Sequence, residues 1–372
     1  MKQKTNKKML ILSAIGILMV VVSHTGNQLS LFGNIFPFLS FFMPMFIFIS
    51  GYFYKTENED NIFGKKGYII KKIKKLIIPY FIWNFIYGII GMILRHFNVI
   101  SFGQDINIKT FFIEPWITGH QYIFNLAAWF IPALFLTNVV YILFRKLITK
   151  CKIWNDTIIL FLLLILMYVS IYFSKNNKNV YLIPVLRTGF FLFFYHFGYY
   201  YKTKIEGKYK FNNLVYLLIL IFINLVIRKI DKNLTYDAWK MYFYSKQVIV
   251  PMIASITGIL FWVKIAEILE PVLAKNKIIC FIGNNTYDIM MHHLFFVFLL
   301  NTLILKLVPV LDIHEFNVSQ YKNTIYYFYY SGIGQYHLFF TFVAIAGPLT
   351  VRYIRNKIEE MKTKKQLLLE KG

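Results

Sequence analysis

The chain has 372 residues, 58% of them hydrophobic and 19% aromatic, with a mean hydropathy of +0.54. Only 16% are charged, against about 25% in a soluble globular chain, which excludes a water-soluble domain: that much apolar surface needs lipid as its solvent. The net charge of +24 does not mark a nucleic-acid partner, because the lysines and arginines sit in short runs between apolar stretches, as in the cytoplasmic loops of a multi-pass membrane protein.

Taken in order, MKQKTNKK and the apolar run after it resemble the first two regions of a signal peptide. No small-x-small cleavage site follows, so the run is expected to stay as the first span. A span needs about 20 apolar residues, and ten segments qualify: 9–28, 35–54, 77–97, 123–144, 157–174, 181–201, 213–230, 247–266, 285–307 and 334–355. The first reads as short, tilted or embedded. With the N-terminus in the cytoplasm, the inner segments carry 29 of the 41 lysines and arginines, which places both termini inside. Tyr52 and Tyr54, Tyr80 and Trp83, Tyr199 to Tyr201, and Tyr326 to Tyr330 fall where interfacial rings are expected. The expected fold is all-α: a polytopic bundle of about ten transmembrane helices in the plasma membrane, one domain over residues 1–372, with a basic cytoplasmic tail from about 356. Cys151 and Cys280 are read as two unpaired thiols.

Chemistry is sparse along such a chain. His24 ends the first apolar run, and imidazole, with an ordinary pKa of about 6.5, can take a proton from a hydroxyl; the alternative is an interfacial helix-end residue. Lys71, Lys72, Lys74 and Lys75 precede Pro79. They suit clustered phosphates, and equally a topology signal or a contact with anionic lipid. Pro44 and Gly51 frame the second span as architecture, with Ser50 and Tyr52 beside them as pore candidates. Arg187 either snorkels to the outer edge or meets substrate. His292 and His293 cannot share a helix face, since neighbours are about 100° apart. Asp288 needs a partner if buried. No metal site is expected, because no H-x-x-x-H or cysteine cluster occurs. The outer connections hold Asp105, Glu114, Pro115, Trp116, His120 and Gln121, then Asp231, Asp237, Trp239 and Tyr242, then Asp312, His314 and Glu315. They suit a sugar-binding surface or are ordinary interfacial loops.

The order of these pieces carries more. His24, then FFMPMFIFISGYF (Phe41 to Phe53), KKIKKLIIPYF (Lys71 to Phe81), WFIPALF (Trp129 to Phe135) and IGNNTYDIMMHH (Ile282 to His293) resemble the acyltransferase-3 family of integral membrane acyltransferases. That family includes O-acetyltransferases of bacterial capsule, lipopolysaccharide and peptidoglycan sugars. The resemblance implies His24 as the catalytic residue and acetyl-CoA as cytoplasmic donor, with its phosphates on Lys71, Lys72, Lys74 and Lys75. It implies a sugar hydroxyl of a surface glycan or its lipid-linked precursor as acceptor. Ser50, Tyr52, Trp129, Arg187, Asp288 and His293 are the expected substrate or pore residues; for His293 helix packing is the alternative. One departure stands out: many relatives carry arginine eleven residues before the histidine, where this chain has Ser13. A glycan or small-molecule transporter is the rival class, and a scaffold without catalysis a third; acyl content of the surface glycan separates them.

Overall fold

Asn6 opens the first helix by accepting a hydrogen bond from the Met9 amide at 3.0 Å, the usual way to satisfy an orphan N–H. Helix α1 (Lys7–His24) then runs until Thr25 and a left-handed Gly26, φ +71°, end it. In this computed structural model, which describes residues 6–26, 33–151, 155–208, 212–311, 316–326 and 337–369, α1 is apolar around its circumference and buried along most of its length. A helix of that kind belongs in the middle of a bundle, and α1 is the central one.

The remaining elements wrap it. They are α2 (Phe42–Tyr52), α3 (Tyr68–His96), α4 (Ile123–Lys150), α5 (Asp156–Lys175), α6 (Val180–Ile205) and α7 (Asn213–Ile230). A two-stranded hairpin follows, β1 (Tyr236–Asp237) and β2 (Tyr242–Phe243), pairing Tyr236 with Phe243 and Asp237 with Tyr242. Then come α8 (Ile249–Leu273), α9 (Lys277–Asn284), α10 (Thr286–Leu311), α11 (Val318–Asn323) and α12 (His337–Leu369). Asparagines at 155, 212 and 276 cap α5, α7 and α9 with their side-chain oxygens. Helices α2, α8, α9, α10 and α12 all touch α1. Helix α7 shows lipid-ready Leu214, Val215, Leu218, Ile219 and Phe222 on its outside.

Nine helices among the described residues are long and apolar enough to cross a membrane. The tenth expected span, 35–54, holds only the 11-residue α2, roughly 16 Å of helix against a hydrocarbon core of about 30 Å. The short element is therefore the second, not the first as its sequence suggested. Phe36 and Phe41, on either side of a 3-10 turn at Phe38–Ser40, are almost wholly buried, so this irregular approach to α2 is packed on protein at both rings, as membrane depth requires. Helix α2 rests on α6 backbone to backbone: a Cβ on Gly51 would lie 1.8 Å from the Tyr195 carbonyl oxygen, and one on Gly198 2.0 Å from that of Phe48.

Helix α3 contains a wide π-type turn at Ile73–Ile77, just before Pro79. Proline has no N–H, so the carbonyl four residues earlier, that of Lys75, loses its helical partner there. From about 356, where the basic tail is expected, α12 continues to Leu369, exposed over 357–363 and laced by Arg355–Glu359 and Lys357–Glu360 pairs at 3.2 and 3.1 Å. Both cysteines are free thiols. Asp312, His314, Glu315 and Tyr327 to Tyr330 lie outside the described residues.

Candidate active site

At the outer end of α1 two imidazoles meet. His24 Nδ1 lies 3.0 Å from His293 Nε2, with ring centroids 5.1 Å apart and planes 24° from parallel. His293, fully buried on α10, turns its Nδ1 to the carbonyls of Ile289 and Met290 at 2.9 and 3.1 Å. A carbonyl oxygen only accepts, so His293 Nδ1 carries the hydrogen and, in the neutral ring, Nε2 is the acceptor. The hydrogen between the rings then belongs to His24 Nδ1, which leaves His24 Nε2 unprotonated. A second proton on His293 would put an unpaired cation in a buried, low-dielectric position, which is costly. Next to this pair Thr25 is pinned to Thr341 of α12 at 2.6 Å. His292 faces the other way, as the helical offset requires, with Nδ1 2.7 Å from the Tyr87 hydroxyl and its ring against Trp83.

Two cavities approach this pair from opposite sides. The outer one, about 160 Å³, is lined by His24, His120, Trp129, Asp237 and Trp239 together with apolar side chains of α1, α2 and α4. The inner one, about 420 Å³, runs from Asn6, Lys75 and Asn284 inward to Ile17, Phe130 and Met290. The handover between them is three residues on two helices, from Ile17 to Val20 on α1 and from Phe46 to Met43 on α2, while on α4 it falls between the neighbours Phe130 and Trp129. On α10 Met290, which lines the inner cavity, lies three residues before His293. A layer about one helical turn thick, roughly 5 Å, divides the two spaces.

The inner cavity has a greasy floor and a polar mouth. Among the described residues that line it Lys75 is the sole lysine or arginine, and Ser13 stands on its wall with its hydroxyl donating to the Met9 carbonyl at 2.8 Å. Tyr287 also lines it, with a buried hydroxyl that bonds no described group.

The other residues singled out in the sequence are distributed as follows. Lys72 lies over the Tyr68 ring at 5.2 Å, while Lys71 and Lys74 are exposed beside Lys75. Neither Ser50 nor Tyr52 lines either cavity: the Tyr52 hydroxyl donates to Glu206 at 2.6 Å and accepts from Asn6 at 2.7 Å, and Glu206 in turn pairs with Lys8. Trp129 lines the outer cavity with the Arg187 guanidinium 5.3 Å above its ring. Arg187 does not snorkel. It is 1% exposed, and its donors reach the carbonyls of Trp239 at 3.0 Å and Ile117 at 3.1 Å. It thus ties two outer loops to α6. Asp288 lies 3.9 Å from Arg352 of α12 and away from both cavities. His120, Asp237 and Trp239 read in the sequence as part of a sugar-binding surface or as ordinary interfacial loops; the cavity they share with His24 was not legible, because it depends on a hairpin more than 200 positions from α1.

His120 stacks on Trp239 with centroids 3.9 Å apart and planes 11° from parallel, and Lys240 covers the same indole at 4.4 Å. Burial, reinforced by the cations Lys240 and Arg187, holds the His120 pKa down to about 4, so this imidazole is neutral at physiological pH.

A membrane-embedded helical bundle thus holds a histidine pair whose His24 faces one cavity, with a second cavity opening toward the other end of α1. The chain belongs to the acyltransferase-3 family: the model of its acyltransferase domain matches residues 11–351, nearly the whole length. It is a multi-pass membrane acyltransferase. No curated protein and no solved structure matches it.

Proposed function

We propose that this acyltransferase moves an acetyl group from cytoplasmic acetyl-CoA to a hydroxyl of a cell-surface or lipid-linked glycan at the outer face of the plasma membrane. The observation that carries the reading is the one-turn step between an inner cavity mouthed by Lys75 and an outer cavity lined by His24. A donor with a polyphosphate head and a long thin arm suits the inner space. Its phosphates meet Lys75, with Lys71, Lys72 and Lys74 adding to the local positive field, while the arm lies along the apolar floor toward Ile17 and Met290. With Ser13 where relatives carry arginine, Lys75 supplies the cation of this cavity.

The histidine pair then does the proton work. His24 Nε2 takes the proton of the acceptor hydroxyl as its oxygen attacks the thioester carbonyl carbon. The new C–O bond forms, the C–S bond breaks, and the CoA sulfur leaves with the proton His24 has just received, closing as a thiol. His293, held by two backbone carbonyls, keeps the His24 ring in the one tautomer and orientation that exposes Nε2. Tyr287, whose buried hydroxyl bonds no described group, donates to a carbonyl oxygen of the donor arm in this reading.

Mass spectrometry of the surface glycan tests the reading. Cells carrying the parental chain are expected to show O-acetyl groups, and cells with equal membrane levels of His24→Ala to lack them. Undiminished acetylation in the variant overturns the assignment.

A further inference from the structure

The outer cavity has a built polar wall that the reaction at His24 does not use. Hairpin β1–β2 is fixed from several sides: the Tyr236 hydroxyl lies 2.8 Å from Ser255 of α8, Ser255 donates to the Ser40 carbonyl at 2.7 Å, and Arg187 donates to the Trp239 carbonyl. Asp237, held on this hairpin, uses Oδ2 to accept from Tyr244 at 3.0 Å. Among the described residues nothing bonds its other oxygen or either ring nitrogen of His120. Beside the hydroxyl-bearing Ser23 and Tyr326, three groups that line this one small space stand out: the Asp237 carboxylate with an oxygen to spare, the neutral His120 imidazole that both donates and accepts, and the imidazole of His24.

The rest of the lining is largely apolar, with Val20, Leu39, Phe42, Met43, Leu126 and Ala127. At about 160 Å³ the space is below the range of sites that hold a drug-sized molecule, and is on the scale of one saccharide ring. No lysine or arginine is among the described residues that line it; the nearby cations Lys240 and Arg187 lie over the Trp239 and Trp129 rings, and Arg187 is committed to backbone carbonyls. The Trp239 indole carries His120 and Lys240 upon it, so broad stacking on that ring is not its recognition device; the hydroxyl edge is.

We infer that this cavity is the acceptor subsite and takes an uncharged sugar ring, with Asp237 and His120 binding hydroxyls next to the one presented to His24. This rests on the transferase reading above and adds the substrate class. A carboxylate accepts from sugar hydroxyls through charge-assisted hydrogen bonds, and repels a uronic acid or a phosphorylated sugar placed against it.

The test uses the full chain in nanodiscs with radiolabelled acetyl-CoA and two probes, the p-nitrophenyl glycosides of glucose and of glucuronic acid. The parent is expected to acetylate the glucoside at least tenfold faster, in kcat/KM, than the glucuronide. Asp237→Asn should lose about tenfold on the glucoside and shrink the preference to near parity. His120→Gln, which keeps a donor and an acceptor, should retain more glucoside transfer than His120→Phe. Acetyl-CoA binding by calorimetry should stay within twofold of the parent in each variant, which also certifies folding. Equal use of the two glycosides, an unchanged preference in Asp237→Asn, or transfer to neither glycoside while acetyl-CoA still binds overturns the subsite and leaves the donor side standing. Failure of the parent to bind acetyl-CoA removes the transferase reading and this inference with it.

Discussion

His24 Nδ1 and His293 Nε2 stand 3.0 Å apart, and the far nitrogen of His293 is spent on two backbone carbonyls. Orientation runs in one direction along this chain, from carbonyl to His293 to His24, and ends at an unprotonated Nε2. His24→Ala is expected to lower turnover by about 10² to 10⁴, the range for a general base. His293→Phe keeps a flat buried ring but frees His24 to take either tautomer; a fall in kcat of about 10- to 100-fold with an unchanged KM for acetyl-CoA is expected. Nitrogen NMR of histidine-labelled protein reads the cause directly. His24 should show a protonated Nδ1 and a bare Nε2 in the parent, and a mixture in His293→Phe.

Lys75 separates itself from its three neighbours by lining the inner cavity. Losing one charge-assisted contact of about 1.5 kcal/mol corresponds to roughly tenfold in affinity. Lys75→Gln is therefore expected to raise the KM for acetyl-CoA about tenfold with little change in kcat, the signature of a contact kept from ground state to transition state. Lys71→Gln and Lys74→Gln, whose side chains line neither cavity and whose field is screened by salt, should stay within about twofold. Initial rates at several salt concentrations check both.

Nine of the ten expected spans, among the described residues, were legible because span length is a property of contiguous sequence. Helix α2 was not recognised as short because apolar residues before it look the same whether lipid or protein covers them, and Phe36 and Phe41 are covered by protein. His24 was singled out by its place before FFMPMFIFISGYF; its meeting with His293, 269 positions on, was not readable. Nor was the fate of Arg187, since its acceptors are main-chain carbonyls of loops 70 and 52 positions away, and carbonyls leave no mark in a sequence. Tyr52 read as a pore residue from its neighbour Gly51, yet its hydroxyl answers Glu206. Four lysines in a row could not be ranked until α3 showed which one meets the cavity.

Gly51 and Gly198 make a reciprocal backbone contact between α2 and α6, with room for no methyl group on either side. Small residues are what permits such an approach in a membrane. Gly51→Ala and Gly198→Ala must push the helices apart, at a cost of about 1–3 kcal/mol for overpacking. Each variant should melt at lower temperature in the same detergent. An equally large loss is not expected for Gly207→Ala, where nothing lies within 4 Å of the added carbon, although φ of +73° there carries its own smaller penalty.

His120 gives the outer face an acid sensitivity of known sign. Its pKa is held down to about 4 in the folded chain, chiefly by burial, against about 6.5 unfolded. Above 6.5 neither state binds the proton and the group contributes nothing to the pH dependence. Between 6.5 and 4 the unfolded state binds it and the folded state does not, so stability falls as pH falls. Below 4 both are protonated and the loss is complete, at up to about 3 kcal/mol. Melting temperature measured from pH 7.5 to 4 should therefore drop more steeply in the parent than in His120→Gln, whose side chain does not titrate. Identical slopes for the two proteins would mean that the ring is already open to water and cannot be the neutral hydrogen-bonding partner that the outer cavity requires.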